Sequence, residues 1–409
     1  MNSFNTNSIG RVVLCAVYVL ILACNPSKDE PSKSYLVGDR TIETVIDLKI
    51  GLENQADEYQ LGKPIGVRTD ENNNIYIADR ASLTIKIYNK NGEYVNKIGG
   101  RGRGPGEFMD INSFEINPDG NFFILDRGSL SYAHISTDGE HISKVPMPFN
   151  RKTLAGQFYP DDIDYYEDKA IVLYTNGSVD EAGNRFKEKL FYIYDREINE
   201  RIGSFLDFEE LKNLELSSFA WVMFLGRPGS FFINKKGDKF FYSPGIYHEN
   251  IYQFGITENS WKLDNIIKAH NFNTNSYVTF NESDLEKYRS RKVPGLRNAF
   301  YGRPEPHIGR VNTFDAGIFE LNDGRIIVFT GKWRDELDKE GVHDNFIDIY
   351  AQIIDKNNTE FIGLVISVEA VRKQKKPYIN WVDSEDNFYL LDNSEINFPT
   401  VTRFKIKNL

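Results

Sequence analysis

A chain of 409 residues that is 40% hydrophobic and 26% charged, with 22 Tyr and 29 Phe, has a globular composition, and its aromatic bias suits half-buried pleated surfaces. Its formal net charge of -10 excludes general nucleic-acid binding, which needs a basic footprint, and fits a domain facing an aqueous medium.

The first predicted element is a leader. Arg11 is the only cation ahead of an apolar run, Val12 to Ala23, that is too short to span a bilayer. The run closes on Ile21-Leu22-Ala23-Cys24, which resembles a bacterial lipobox. That resemblance implies that residues 1–23 are a lipoprotein signal peptide and that Cys24 is lipidated; an ordinary secretory signal is the plainer alternative. Removal of the leader takes Cys15 with it and leaves Cys24 alone, so no intramolecular disulfide, thiol nucleophile or Cys-based metal site is expected. Residues 24–39 are polar and Pro-broken and read as a flexible tether. Within them Lys28-Asp29-Glu30 resembles the signal that sends some Bacteroidota-type lipoproteins to the cell surface.

Residues 40–409 carry an internal repeat. Asn74-Ile-Tyr-Ile-Ala-Asp79 returns as Asn121-Phe-Phe-Ile-Leu-Asp126 and as Asn387-Phe-Tyr-Leu-Leu-Asp392. Asp79 and Asp126 lie 47 positions apart, as do Gly92 and Gly139 in the later Asn91-Gly and Asp138-Gly turns, the strongest short hairpin signals. A period in the forties with several strands per unit is that of a propeller blade. Diverged copies before Ala170, Phe240 and Ile326 bring the turn-then-strand units to six. The expected fold is therefore all-β, a six-bladed β-propeller of four-stranded antiparallel blades. The last blade lacks an outer strand at the C-terminus, and Arg40–Lys49 is expected to supply it, which leaves no open blade at the seam. Wider spacing marks insertions near 206–218 and 271–308, with short helices expected at Phe208–Leu214 and Glu282–Arg289 and a Gly-, Pro- and Arg-rich loop after the second.

Gly104-Pro-Gly-Glu-Phe108, Asn117-Pro-Asp-Gly-Asn121, Asp126 and Asp138-Gly139 resemble the NHL-type repeat, and with the lipobox the chain resembles the six-bladed β-propeller lipoproteins of Bacteroidota-type bacteria. The wider fold includes lyases and lactonases with a metal in the central channel as well as pure binding modules, so the resemblance does not choose between them.

Meander topology puts the b–c loops and the blade-to-blade connections on one face. The ligand-binding candidates gather there: Arg80, Arg101, Arg103, Arg127, Arg227, Arg303 and His307, with Arg297 nearby. Each guanidinium offers a fork suited to a carboxylate or phosphate; pairing with neighbouring acids to brace the loops is the structural alternative. Trp333, set among charges, is a candidate exposed stacking platform for sugar, whereas Trp221, Trp261 and Trp381 are assigned to packing. The repeated closing Asp is expected to hold the following turn through its backbone N–H groups. The six His are scattered and show no metal-ligand spacing, so no cofactor is predicted, although a channel Ca or Zn fits the fold. The functional expectation is a lipid-anchored envelope scaffold, non-catalytic, binding a protein, peptide or glycan through its Arg-bearing face. Its rivals are a metal-dependent lyase or lactonase-like hydrolase acting at the channel and a structural subunit of an envelope complex.

Overall fold

The structure, a computed structural model, describes residues 42–117, 119–146, 158–176, 189–207, 229–257, 260–272, 276–280, 296–299, 307–334, 346–355, 358–369, 377–393 and 398–409. Six four-stranded antiparallel sheets form a ring, a six-bladed β-propeller with no α-helix among the described residues. Blade 1 consists of strands a to d at Pro64–Thr69, Ile75–Asp79, Thr84–Tyr88 and Tyr94–Gly99. Blades 2, 3, 4 and 5 repeat that order from inner strands at Ile111–Ile116, Phe158–Tyr166, Gly229–Ile233 and Thr313–Glu320. In blade 6, strands Tyr378–Val382, Phe388–Asp392 and Thr400–Ile406 are joined by Thr44–Ile50, which pairs antiparallel with the last of them. Each inner strand lies against the inner strands of its two neighbours, which closes the ring around a central axis.

Burial is deepest in the middle strands of the blades. Strands b and c of blades 1 and 2 are buried at every residue because a neighbouring blade covers each face, while the outer strand Tyr94–Gly99 is largely exposed. The apolar cores therefore sit between the blades, one at each interface. Ile85 and Phe122 meet between blades 1 and 2, Leu125 and Tyr192 between 2 and 3, and Phe191 and Phe240 between 3 and 4. Ile251 and Val328 meet between blades 4 and 5, Phe329 and Phe388 between 5 and 6, and Val401 and Ile77 between 6 and 1. Phe191 packs edge-on to Phe240 at 4.8 Å, a geometry that adds roughly 0.5–1.5 kcal/mol beyond simple area burial.

Two repeated side-chain devices shape the turns. In the a–b turns of blades 1 and 6, one carboxylate gathers the chain. Asp70 accepts from the backbone N–H groups of Asn72 and Asn74, the Asn74 amide and the Tyr76 hydroxyl, and Asp383 does the same for Glu385, Asn387 and Tyr389. This explains the Asn that opens the copies in blades 1 and 6; in blade 2 Asn117 takes the place of the Asp and accepts from the backbone N–H of Asn121 at 2.9 Å. The Asp that closes it holds its own b–c turn, as expected, and also the chain entering the blade. Asp79 accepts from Ala81 N at 3.2 Å, and from Lys63 N at 2.7 Å and Gly62 N at 3.1 Å. Five of the inner strands carry a register shift against strand b, at Ile65, Asn112, Asp161, Ala316 and Asn380. Such bulges re-aim the residues beyond them.

The described part of the second insertion forms a small sheet, Tyr277–Phe280, His307–Val311 and Leu296–Ala299 in that spatial order, so Arg297 lies on a strand paired with Gly309. Antiparallel pairing there satisfies backbone groups that an open loop would leave to solvent. The helices expected at 208–214 and 282–289, and residues 1–41 with Cys24, lie outside the described residues.

Candidate binding site on the propeller axis

The disc has a loop face, with the b–c loops and blade connections, and a turn face, with the a–b and c–d turns. The sequence candidates lie on the loop face, and most of those described are committed to neighbouring blades. Arg80 donates to both carboxylate oxygens of Asp110 on the connection into blade 2, with Nη2–Oδ2 at 2.6 Å. Arg127, at the equivalent position of blade 2, reaches the Pro160 carbonyl of blade 3, and Asn393 of blade 6 reaches the Pro64 carbonyl of blade 1 at 2.9 Å. The residue after each closing Asp is thus an interblade clamp, which for Arg80 and Arg127 is the bracing alternative to anion binding.

Arg101 and Arg103 are exposed on a loop closed by Gly102 N to Phe108 O and Phe108 N to Gly100 O. In that loop the Gly104 N–H already has an anion, the Glu107 carboxylate at 2.8 Å. A Cβ at Gly102 would meet only the Glu107 carboxylate, the flexible end of a side chain that can swing aside. His307 opens the strand His307–Val311, and Arg227 and Arg303 lie outside the described residues. Trp333 corrects the expectation of an exposed platform: it is 3% exposed and packs in the core between blades 5 and 6. Its strand continues the b strand of blade 5 past the charged flanks, so burial of a large apolar surface outweighs the polarity of its neighbours.

On the axis, toward the turn face, lies a cavity of about 330 Å³ lined by residues from all six blades. Its charged centre was not among the sequence candidates. Arg68 of blade 1 extends across to blade 2 and pairs with Glu115, Nε–Oε2 2.5 Å, both side chains being under 10% exposed. Its other nitrogens turn to the Val67 carbonyl at 2.8 Å, to Asn380 Oδ1 at 3.4 Å and to Asp162 of blade 3 at 3.7 Å. Trp381 of blade 6 covers the guanidinium at 4.7 Å and is itself tied to Thr69 Oγ1 through its indole N–H at 2.9 Å. Asn380 also accepts from Val67 N at 2.5 Å, so its bulge stitches blade 6 to blade 1. Asp162 accepts from Ser113 Oγ at 2.8 Å, and Asp164 from Tyr165 N at 2.7 Å and Ile233 N at 3.3 Å.

One guanidinium therefore faces three carboxylates, of which Glu115 is buried and Asp162 and Asp164 are half-buried. Burial pushes Glu115 up to about 7 against the pull of Arg68, and pushes Asp164 up to about 6. Folded pKa values above the ordinary 4.5 and 3.8 mean that the folded state holds these protons more tightly than the unfolded chain does. Their contribution to stability is complete below those ordinary values and is lost as pH rises through about 6 and 7. Unfolding free energies from urea titrations should accordingly fall between pH 5 and pH 8, by up to about 1.4 kcal/mol per pH unit for each proton that the folded state holds and the unfolded chain has released, and Glu115→Gln should flatten the upper part of that fall.

A signal for this centre was present in the sequence. Arg68 and Glu115 are themselves 47 residues apart, and each is a charge embedded in a short apolar strand just before an a–b turn. Among the described residues no three His, Cys, Asp or Glu side chains converge to hold a metal ion. No helix among them is long and apolar enough to cross a membrane.

Comparison with known proteins agrees with this architecture. A family model described as DUF5128, 6-bladed beta-propeller, matches residues 50–281. Among solved structures, a Bacteroides fragilis protein predicted to be exported superposes with a TM-score of 0.50 at 14% identity, over 91% of this chain and 98% of its own. A member of the duf4221 family from Bacteroides vulgatus gives 0.49 at 11% identity, over 90% and 99%. Virginiamycin B lyase from Staphylococcus aureus gives 0.42 at 10% identity, over 89% and 100%. At such identities the likeness concerns the fold alone. No curated protein matches the sequence.

Proposed function

We propose that this chain, which belongs to the DUF5128 family of six-bladed β-propellers, is an exported, lipid-anchored binding scaffold of the cell envelope that seats part of a protein, peptide or glycan ligand in its axial cavity. The observation that carries this reading is the cavity itself. It is a concave site of small-molecule size with apolar walls and a few convergent polar groups, built on rigid inner strands instead of loops. Arg68 and its partners occupy strand positions where an apolar residue would pack at lower cost, and retained polarity of that kind marks function more often than stability. The acidic net charge and the lipobox-like Ile21–Cys24 support the envelope address.

The reading moves the binding surface from the loop face to the axis, because Arg80 and Arg127 are engaged in holding blades together. Native mass spectrometry of the full-length chain in detergent, mixed with tryptic peptides and released glycans from envelope preparations, tests it. Wild type and the double variant Arg101→Ala, Arg103→Ala should retain the same ligand. Val382→Trp, which fills the cavity from a half-buried position, should lose it while keeping its melting temperature. Retention by Val382→Trp together with loss in the arginine variant would return the site to the loop face. The same spectra show whether Cys24 carries acyl chains.

A second reading, catalysis at the channel, draws on Glu115 and Asp164, two carboxyl groups poised near neutrality as general acids and bases are.

A further inference from the structure

Resting on the reading of the cavity as the ligand site, the charges inside it define what it accepts. We propose that the axial cavity takes a small organic cation, a protonated amine or a guanidinium, against the carboxylates of Asp164 and Asp162.

The sign follows from how the groups are used. Arg68 is the basic group at the centre, and it is spent: each of its nitrogens faces a protein acceptor, and its planar face is covered by Trp381. Lys235, on the a–b turn of blade 4, directs its ammonium to Asn322 Oδ1 at 2.8 Å and to the Leu321 carbonyl, which closes the rim between blades 4 and 5. No donor fork is left for an anion. Asp164 is in the opposite position. Its two oxygens accept only from backbone N–H groups, and among the described residues no Lys, Arg or His lies within ion-pair distance of it. A carboxylate in that setting has unused acceptor capacity and an unfavourable solvation energy, and a cation would relieve both.

The walls fix the kind of cation. Phe231, Ile318 and Phe319 line the cavity beside the acids, so the ligand carries an alkyl or aryl stem behind its charge. A divalent metal would need several oxygens converging on one point, and the carboxylates of the described residues do not converge in that way. The volume of about 330 Å³ lies at the small end of ligand pockets and has room for one amine- or guanidine-bearing side chain or a free molecule of that kind.

The charged groups facing Asp164 are Arg68 from blade 1, Glu115 from blade 2 and Asp162 on its own strand, with Lys235, Glu320 and Asp383 around the cavity wall. An arriving cation favours the ionised acids, so binding displaces protons and strengthens as pH rises. Calorimetry and ligand-detected NMR on the full-length chain, with agmatine and n-butylamine as probes, glutarate as the anionic counterpart and n-butanol as the neutral one, read this directly. Both cationic probes should bind about tenfold more tightly at pH 8 than at pH 5, in line with ionisation of a carboxyl near 6. Asp164→Asn should weaken them at least tenfold and remove most of the pH dependence. That variant carries no uncompensated buried charge but sets its amide nitrogen against one backbone N–H, and the longer bond, to Ile233 N, is the one it should give up; its melting temperature checks that it folds. Preferential binding of glutarate, or affinities for the amines unchanged in Asp164→Asn, would overturn the proposal. If the amines fail while Val382→Trp still abolishes envelope-ligand binding, the cationic assignment is wrong and the cavity stands as the site. If Val382→Trp keeps that ligand, the cavity reading fails first.

Discussion

Arg68→Met should destabilise the fold by about 3–5 kcal/mol at pH 8, the range expected when one partner of a buried ion pair is removed and the other charge is stranded. Met keeps the aliphatic stem and most of the volume under Trp381, so the loss reports on charge more than on packing. Glu115 is stranded worst, because it is 6% exposed and its other oxygen accepts only from its own neighbour, Ile116 N, at 3.0 Å. At pH 5 the deficit should shrink, since Glu115 and Asp164 take up protons below about 7 and 6 and shed the uncompensated charge. The double variant Arg68→Met, Glu115→Gln should recover much of the loss, with a coupling energy above about 1 kcal/mol in the cycle. Urea denaturation at the two pH values measures all of these terms. A deficit that is equal at pH 5 and pH 8 would mean that Arg68 acts through packing against Trp381 and Phe114 alone.

The same centre shows what could be read from the sequence and what could not. Blades were legible because strands b and c are buried on both faces, which turns Ile75–Asp79 and Phe122–Asp126 into unbroken apolar runs between turn residues. The period then located each copy. Inner strands are different. They border a channel, diverge from blade to blade, and carry bulges that break simple alternation, so Pro-Ile-Gly-Val-Arg-Thr and Ile-Asn-Ser-Phe-Glu-Ile scarcely look like the same element. Their charges acquire meaning only across blades, when Arg68 meets Glu115 and Asp162. Glycine-rich loops and surface arginines drew the eye because their local chemistry is complete within a few residues. For Arg80 and Arg127 both anion binding and bracing were open in the sequence, and only the neighbouring blade supplies the partners, Asp110 and the Pro160 carbonyl, that decide for bracing.

Asp126→Ala should be nearly as costly as loss of Arg68, at about 3–5 kcal/mol, although it touches no ligand candidate. Its carboxylate, fully buried, accepts from Asp110 N at 2.9 Å, Gly128 N at 3.1 Å, Met109 N at 3.2 Å, Ser129 N at 3.3 Å and the Ser129 hydroxyl at 2.6 Å. Alanine leaves those donors without their acceptor, and at roughly 1–3 kcal/mol for each group that cannot find water, even partial rescue leaves a large deficit. Asn is not a neutral replacement, because its amide nitrogen would present a donor where the carboxylate has acceptors on both sides. The damage should start locally: hydrogen exchange at residues 109–110 and 128–129 should accelerate before the global unfolding rate changes, since those backbone groups are the ones released. Asp79→Ala should repeat the result one blade earlier, at residues 62–63 and 81–82, because Asp79 holds the equivalent donors. Matching losses in two blades are the mark of an architectural residue. A ligand residue would have no reason to behave identically 47 positions apart, and an effect confined to one of the two would reassign that Asp to a site.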